Sequence, residues 1–175
     1  AAISVGFDSW VRGERIVLGA SGLIGKLETD TRFNGEDDYT VWLVGIDFFI
    51  PLLPSVHLKG EGFIGQALGD FRGGIGQSIN PSFGREIESI GGFAELFWQA
   101  TDKFGIGVGG AIDNPELSDL DPGMRASNWV AYVATRYQID ENFRTGIDVM
   151  FWNTEYVDGE DGDTYRFNYF IEMSF

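Results

Sequence analysis

The stretch that decides the fold is YRFNYFIEMSF, residues 165–175. Large apolar side chains occupy every second position of this stretch and form one unbroken, mostly aromatic face. The positions between them are largely polar and include Arg166, Asn168 and Glu172. Because successive side chains of a β-strand point to opposite faces, this pattern predicts a strand with an apolar medium on one side and a polar one on the other.

Segments with the same alternation recur upstream and give nine candidate strands, from Ile3–Trp10 to residues 165–175. They are joined by short and long connections in strict turn. The short connections lie near residues 12–14, 52–55, 101–102 and 140–142, and the long ones span about 29–38, 69–84, 114–126 and 154–163. Short turns at one end and long loops at the other are typical of an antiparallel transmembrane β-barrel, with the short turns on the periplasmic side.

Composition favours this all-β fold class over other membrane and soluble classes. The chain has 43% hydrophobic residues, 25 Gly and 15 Phe, and its longest apolar run, Val41–Pro54, contains Asp47. That run is shorter than the roughly 20 residues a spanning helix needs. A soluble sandwich or a lipocalin-type barrel would bury its apolar face and gain nothing from aromatic residues at both rims.

The number of strands leaves two alternatives. Single-chain bacterial barrels usually have an even number of strands. Either Ile3–Trp10 is not a barrel strand, which leaves eight, or the chain belongs to a larger barrel. Residues 1–175 are accordingly predicted to form a single barrel domain or the C-terminal part of one.

Three motifs carry a family resemblance: FRGGIGQ at residues 71–77, IDNP at 112–115, and Arg125-x-x-Asn128-Trp129. Together with the closing strand they resemble the C-terminal half of DcaP-like, porin-type bacterial outer-membrane proteins. The resemblance implies a bacterial outer-membrane location in contact with lipid, and larger, often trimeric channels, hence a homo-oligomer. It also implies that the barrel-insertion machinery reads the terminal strand, through Tyr169, Ile171, Met173 and Phe175.

The predicted function is a porin-like channel for passive diffusion of small solutes. The alternative is a closed structural or anchoring barrel with acidic surface loops. An outer-membrane lipid enzyme would need a nucleophile with a base, and the only histidine, His57, follows a predicted periplasmic turn. We therefore expect neither enzyme activity nor a cofactor.

Charged residues at inward positions are the candidate pore lining. Asp47 and Lys59 are about equally far from their shared turn and are predicted to pair across adjacent strands. Arg136 and Arg144 are predicted to face each other, with Glu172 as the nearest acid. The pore-lining candidates are Asp47, Lys59, Glu61, Glu95, Arg136, Arg144, Asp148, Arg166 and Glu172.

The acidic residues concentrate in the predicted loops. The net charge of −15 argues against a nucleic-acid partner, since phosphate binding requires clustered Lys and Arg. The loop YVDGEDGDTY carries four carboxylates on a glycine-rich segment, which is a weak calcium candidate because its spacing differs from an EF-hand. The four residues are Asp158, Glu160, Asp161 and Asp163.

Overall fold

A computed structural model describes residues 1–11 and 14–174 of the chain, and nearly all of its regular structure is antiparallel β-sheet. Three short 3₁₀ turns lie in the long connections, at Gly69–Phe71, Gly74–Gly76 and Leu117–Asp119. The strands are β1 (Ala2–Val11), β2 (Glu14–Phe33), β3 (Glu36–Leu53), β4 (Val56–Gln66), β5 (Ile79–Asn80), β6 (Arg85–Glu86), β7 (Glu88–Gln99), β8 (Phe104–Pro115), β9 (Arg125–Gln138), β10 (Phe143–Tyr156) and β11 (Gly162–Met173).

Nine of these strands form one sheet in the order β1-β2-β3-β4-β7-β8-β9-β10-β11, and all its neighbouring strands pair antiparallel. The remaining two, β5 and β6, pair as a small ribbon within the connection between β4 and β7. The predicted all-β class and the nine-strand count are therefore confirmed, and β1 belongs to the sheet. Among the described residues β1 and β11 are the two edges, so the sheet is open.

The register sorts the side chains into two faces. Ile147 lies opposite Tyr169 and Val149 opposite Phe167, so the apolar positions of neighbouring strands share what we call the apolar face. Many of these side chains are exposed, from 40% for Val149 to 73% for Phe167. The register also assigns some charged side chains to the apolar face. Among the described side chains, these charges lie only at the long-loop ends of the strands. They are Lys26, Glu28, Asp38, Glu88, Glu155 and Asp163.

The terminal strand follows the same division. Tyr169, Ile171 and Met173, three of the four residues of the predicted insertion signal, lie on the apolar face. Phe175, the fourth, lies outside the described residues.

Two predicted long loops are shorter than expected. In place of a loop over 29–38, β2 continues to Phe33 and β3 begins at Glu36, so only Asn34 and Gly35 turn the chain. Both residues have positive φ, 52° and 91°, as the tight hairpin turn typical of Asn-Gly requires. The loop predicted over 154–163 shrinks similarly, because β10 extends to Tyr156 and β11 begins at Gly162.

The described part of the chain has no helix of the length and apolarity needed to cross a membrane.

A lysine on the apolar face should destabilise the protein in lipid far more than one on the opposite face. We expect Val149→Lys to lower the free energy of unfolding in lipid vesicles by about 2–4 kcal/mol, because the ammonium group would enter hydrocarbon. Asn168→Lys is the matched control, since Asn168 lies on the other face opposite Asp148. Urea titration of both variants measures the difference, and equal losses would contradict the assignment of the faces.

Candidate functional site

The opposite face of the sheet, here called the polar face, collects the predicted pore-lining positions. Lys59 lies opposite Glu95 on β4 and β7, and Arg144 lies opposite Glu172 on β10 and β11. Because residues two apart on a strand share a face, the register assigns all nine candidates to this side. They are Asp47, Lys59, Glu61, Glu95, Arg136, Arg144, Asp148, Arg166 and Glu172.

Glu95 is the most enclosed charge of this set. Its side chain is 8% exposed, and its carboxylate lies 2.9 Å from Lys59 Nζ. The Tyr132 hydroxyl donates a second hydrogen bond to Glu95, at 3.1 Å. The strand between Glu95 and Tyr132 contributes Gly107, where an added Cβ would lie 3.0 Å from the carboxylate carbon. The glycine therefore provides the room in which Glu95 folds down onto the sheet.

The predicted pairing of Asp47 with Lys59 is wrong. Asp47 lies opposite Glu61, and Lys59 lies opposite Phe49 on that side. The strands end at Leu53 and begin again at Val56, so the chain turns at residues 54–55, later than the centre of the predicted turn at 52–55. Displacing a turn by one residue moves every cross-strand partner by two positions, so counting from the predicted turn misses the true partner of Asp47.

The two arginines of the predicted cluster have separate partners. Arg144 pairs with Glu172 at 2.6 Å, as predicted, whereas Arg136 pairs with Asp148 at 2.6 Å and not with Glu172. The guanidinium of Arg136 also lies 4.9 Å from the ring centre of Phe170. The prediction that Arg136 faces Arg144 is wrong, because the register places Gln138 opposite Arg144. For the same reason Asp148 was not predicted as the partner of Arg136.

These charges border a depression of about 380 Å³ at the short-turn end of the polar face. Lys59, Glu95, Arg136 and Arg144 all line it, so the structure brings four of the predicted residues together. His57, at its edge, stacks between Phe49 and Phe97, with ring centres 4.7 and 4.9 Å away. The depression is thus bordered by ion pairs and an aromatic stack.

The connection between β4 and β7, residues 67–87, folds onto the polar face at the other end of the strands. Its Leu68 is fully buried and belongs to an apolar cluster with Val41 and partly buried Phe63. Further along, the Ile75 amide donates to Asp113 Oδ2 at 2.9 Å. We call residues 67–87 the inner loop. Its contacts with Val41, Phe63 and Asp113 hold it against the polar face of the sheet.

The inner loop is tied to the loop between β8 and β9 by Asn80, whose side chain is fully buried. Asn80 Nδ2 donates to the Asp119 carbonyl at 2.9 Å, and its Oδ1 accepts from the Ser82 amide at 2.9 Å. The Asp119 carboxylate in turn lies 3.0 Å from Arg85. Sequence analysis missed this contact, because its partners are 39 residues apart and neither belongs to an alternating segment.

The four carboxylates of the weak calcium candidate are not gathered into a site. Asp158, Glu160 and Asp161 are exposed on the connection between β10 and β11, and Asp163 is exposed near the start of β11. Within the described residues no group of three acidic or histidine side chains is close enough to hold a metal ion. Asp163 accepts a hydrogen bond from Asn153 at 2.8 Å instead. These carboxylates therefore do not converge on one point.

Comparison with known proteins supports the fold. No protein-family model and no curated protein sequence matches the chain. Among solved structures, the outer membrane channel DcaP of Acinetobacter baumannii superposes with a TM-score of 0.78 at 12% identity, over 99% of this chain and 51% of that chain. The chain thus shares the fold of about half of this channel protein and spans about half the length of this neighbour. The predicted resemblance to half of a DcaP-like barrel is confirmed at the level of the fold.

The separate pairing of the arginines can be measured by double-mutant cycles. We expect Arg136→Gln and Asp148→Asn to be coupled by about 1 kcal/mol in the free energy of unfolding, because the two groups are in direct contact. The cycle of Arg136→Gln with Glu172→Gln should give a coupling near zero. A larger coupling to Glu172 than to Asp148 would show that the register is wrong at this end of the sheet.

Loss of the buried amide should release the inner loop. Asn80→Ala leaves the Asp119 carbonyl and the Ser82 amide without this partner, which should cost about 1–3 kcal/mol of local stability. We expect faster cleavage within residues 67–87 during limited proteolysis of the protein in detergent. Asn153→Ala, which removes an exposed hydrogen bond, is the control, and equal cleavage of both variants would rule out the role of Asn80.

Proposed function

We propose that the chain forms part of the wall of a channel in the bacterial outer membrane, with its polar face along a path for passive diffusion of small solutes. One observation carries the proposal: the two faces of a single sheet differ in chemistry. Among the described side chains, the apolar face has exposed apolar groups and charges only at the long-loop ends, as a lipid-facing surface requires. The polar face carries all nine of the predicted charged positions.

The channel assignment also draws on the neighbour, which is described as an outer membrane channel. The nine-stranded sheet is open among the described residues, so a complete wall requires further strands beside β1 and β11. We propose that these edges are paired with further strands in the assembled barrel. We propose also that the protein is a homo-oligomer such as a trimer. The insertion machinery, in this proposal, recognises the terminal strand. Surrounding lipid is then the partner of the apolar face.

The electrostatics of the polar face favour weak ion selectivity. Three basic side chains have acidic partners at 2.6–2.9 Å: Lys59 with Glu95, Arg136 with Asp148, and Arg144 with Glu172. Paired charges attract water yet largely cancel each other's long-range potential. At the short-turn end, a path along this face would therefore be wet without strongly excluding either sign of ion.

Planar-bilayer recording tests the proposal. We expect the protein to form conducting pores, and the double variant Arg136→Gln/Arg144→Gln to shift the reversal potential toward cation selectivity, because Asp148 and Glu172 lose their neutralising partners. Arg32→Gln is the matched control, since Arg32 pairs with Asp37 near the β2–β3 turn.

Two outcomes would contradict the proposal. Background conductance from protein shown to be inserted would favour a closed, anchoring barrel. An unchanged reversal potential in a conducting double variant would mean that the two arginines do not border the conducting path.

A further inference from the structure

A second cavity, separate from the depression at the short-turn end, lies between the inner loop and the polar face. Its volume is about 460 Å³, within the range of small-molecule sites. The sheet contributes aromatic walls through Phe63, Phe93 and Trp152, and the inner loop contributes Ile75 and Arg72. We call this space the loop cavity. Its size and apolar walls suit a compact solute with an apolar or aromatic body.

Both signs of charge line the loop cavity. Glu61 and Asp113 come from strands β4 and β8, and Arg72 comes from the inner loop. In the described part of the chain, neither Glu61 nor Arg72 has an ion pair or side-chain hydrogen bond. The cavity therefore presents an unpaired carboxylate and an unpaired guanidinium, both open to solvent, beside the same aromatic walls, in contrast to the paired charges at the short-turn end.

Two further polar atoms of the lining residues lack partners. Asp113 holds the inner loop through Oδ2, but its Oδ1 is buried without a hydrogen bond to any described residue. The indole Nε1 of Trp152 is in the same condition. Most buried polar groups in folded proteins have a partner, so these two atoms are exceptions beside the cavity. Both are shielded from solvent, and the accessible charged groups of the lining are those of Glu61 and Arg72.

Glu61 and Arg72 are both exposed to solvent, and each has one locally unfavourable feature. Glu61 lies directly opposite Asp47 on the neighbouring strand, and like charges in that position repel. Arg72 adopts φ of +65°, a conformation that non-glycine residues seldom adopt. A ligand that supplies a cation to Glu61 would relieve part of the repulsion between Glu61 and Asp47.

We propose that the loop cavity is a binding site along the channel for a zwitterionic solute with an apolar or aromatic body. This proposal rests on the channel assignment above. The ammonium group of the solute pairs with Glu61 and Asp113, its carboxylate pairs with Arg72, and its body packs against Phe63 and Phe93. A dianion would meet two carboxylates, and a simple cation would meet Arg72. A small zwitterion without a body would leave the aromatic walls without contact.

Four probes separate the contributions of charge and body in isothermal titration calorimetry of the detergent-solubilised protein. They are phenylalanine, 3-phenylpropionate, phenethylamine and glycine. We expect phenylalanine to bind most tightly, with the other three weaker by roughly tenfold or more, because each lacks one charged or apolar contact. Equal binding of the anion or the cation would overturn the charge assignment. Equal binding of glycine, or no binding of phenylalanine, would overturn the site.

Variants of the two unpaired residues locate the binding. Glu61→Gln should weaken phenylalanine binding roughly tenfold and leave 3-phenylpropionate unchanged, while Arg72→Gln should weaken both. Glu160→Gln, on an exposed loop, makes the same chemical change as Glu61→Gln and should alter neither. Loss of phenylalanine binding in Glu160→Gln, or none in Glu61→Gln, would contradict the proposal.

Calorimetry does not require conduction, so the two proposals can fail separately. Pores that conduct without binding phenylalanine would refute the solute-binding site alone. Phenylalanine binding by a protein that does not conduct would refute the channel assignment. The loop cavity would then remain a binding site, but not one along a channel.

Discussion

The structure depends on one constraint, the register of backbone hydrogen bonds between antiparallel strands. Side chains alternate between faces with a period of two, so a slip by one residue would exchange the faces completely. Val149 and Phe167 would then join the charged side, and Asp148 would enter the apolar side. For a sheet with lipid on one face, each such exchange is costly, which explains why the alternation persists through nine strands.

Glycines on the polar face determine how its large side chains lie. An added Cβ at Gly146 would lie 2.5 Å from the ring of Phe170, and one at Gly107 would meet the Glu95 carboxylate. Because these positions are bare, the neighbouring side chains lie flat against the sheet instead of projecting from it. The flat arrangement brings Phe170 near Arg136 and Glu95 near Lys59, and it leaves open space above the wall.

Sequence reasoning succeeds where the signal is local and fails where it is not. The strands and their two faces follow from a pattern of period two, which needs only neighbouring residues. The residue that faces Asp47 depends on where the chain turns between β3 and β4, which no alternation reveals. Asn80 and Asp119 meet only because two loops pack together, so their hydrogen bond could not be predicted from spacing. The loop cavity likewise arises from the folding of residues 67–87 onto the sheet.

The most direct test of the central claim, that β10 separates lipid from water, is cysteine scanning of residues 144–152. The chain contains no cysteine, so each single variant carries one thiol for a membrane-impermeant maleimide. In lipid vesicles, fast labelling is expected at even positions such as Asp148 and Met150, and slow labelling at odd positions such as Ile147 and Val149. Labelling of Ile147 and Val149 as fast as that of Asp148 would contradict the account.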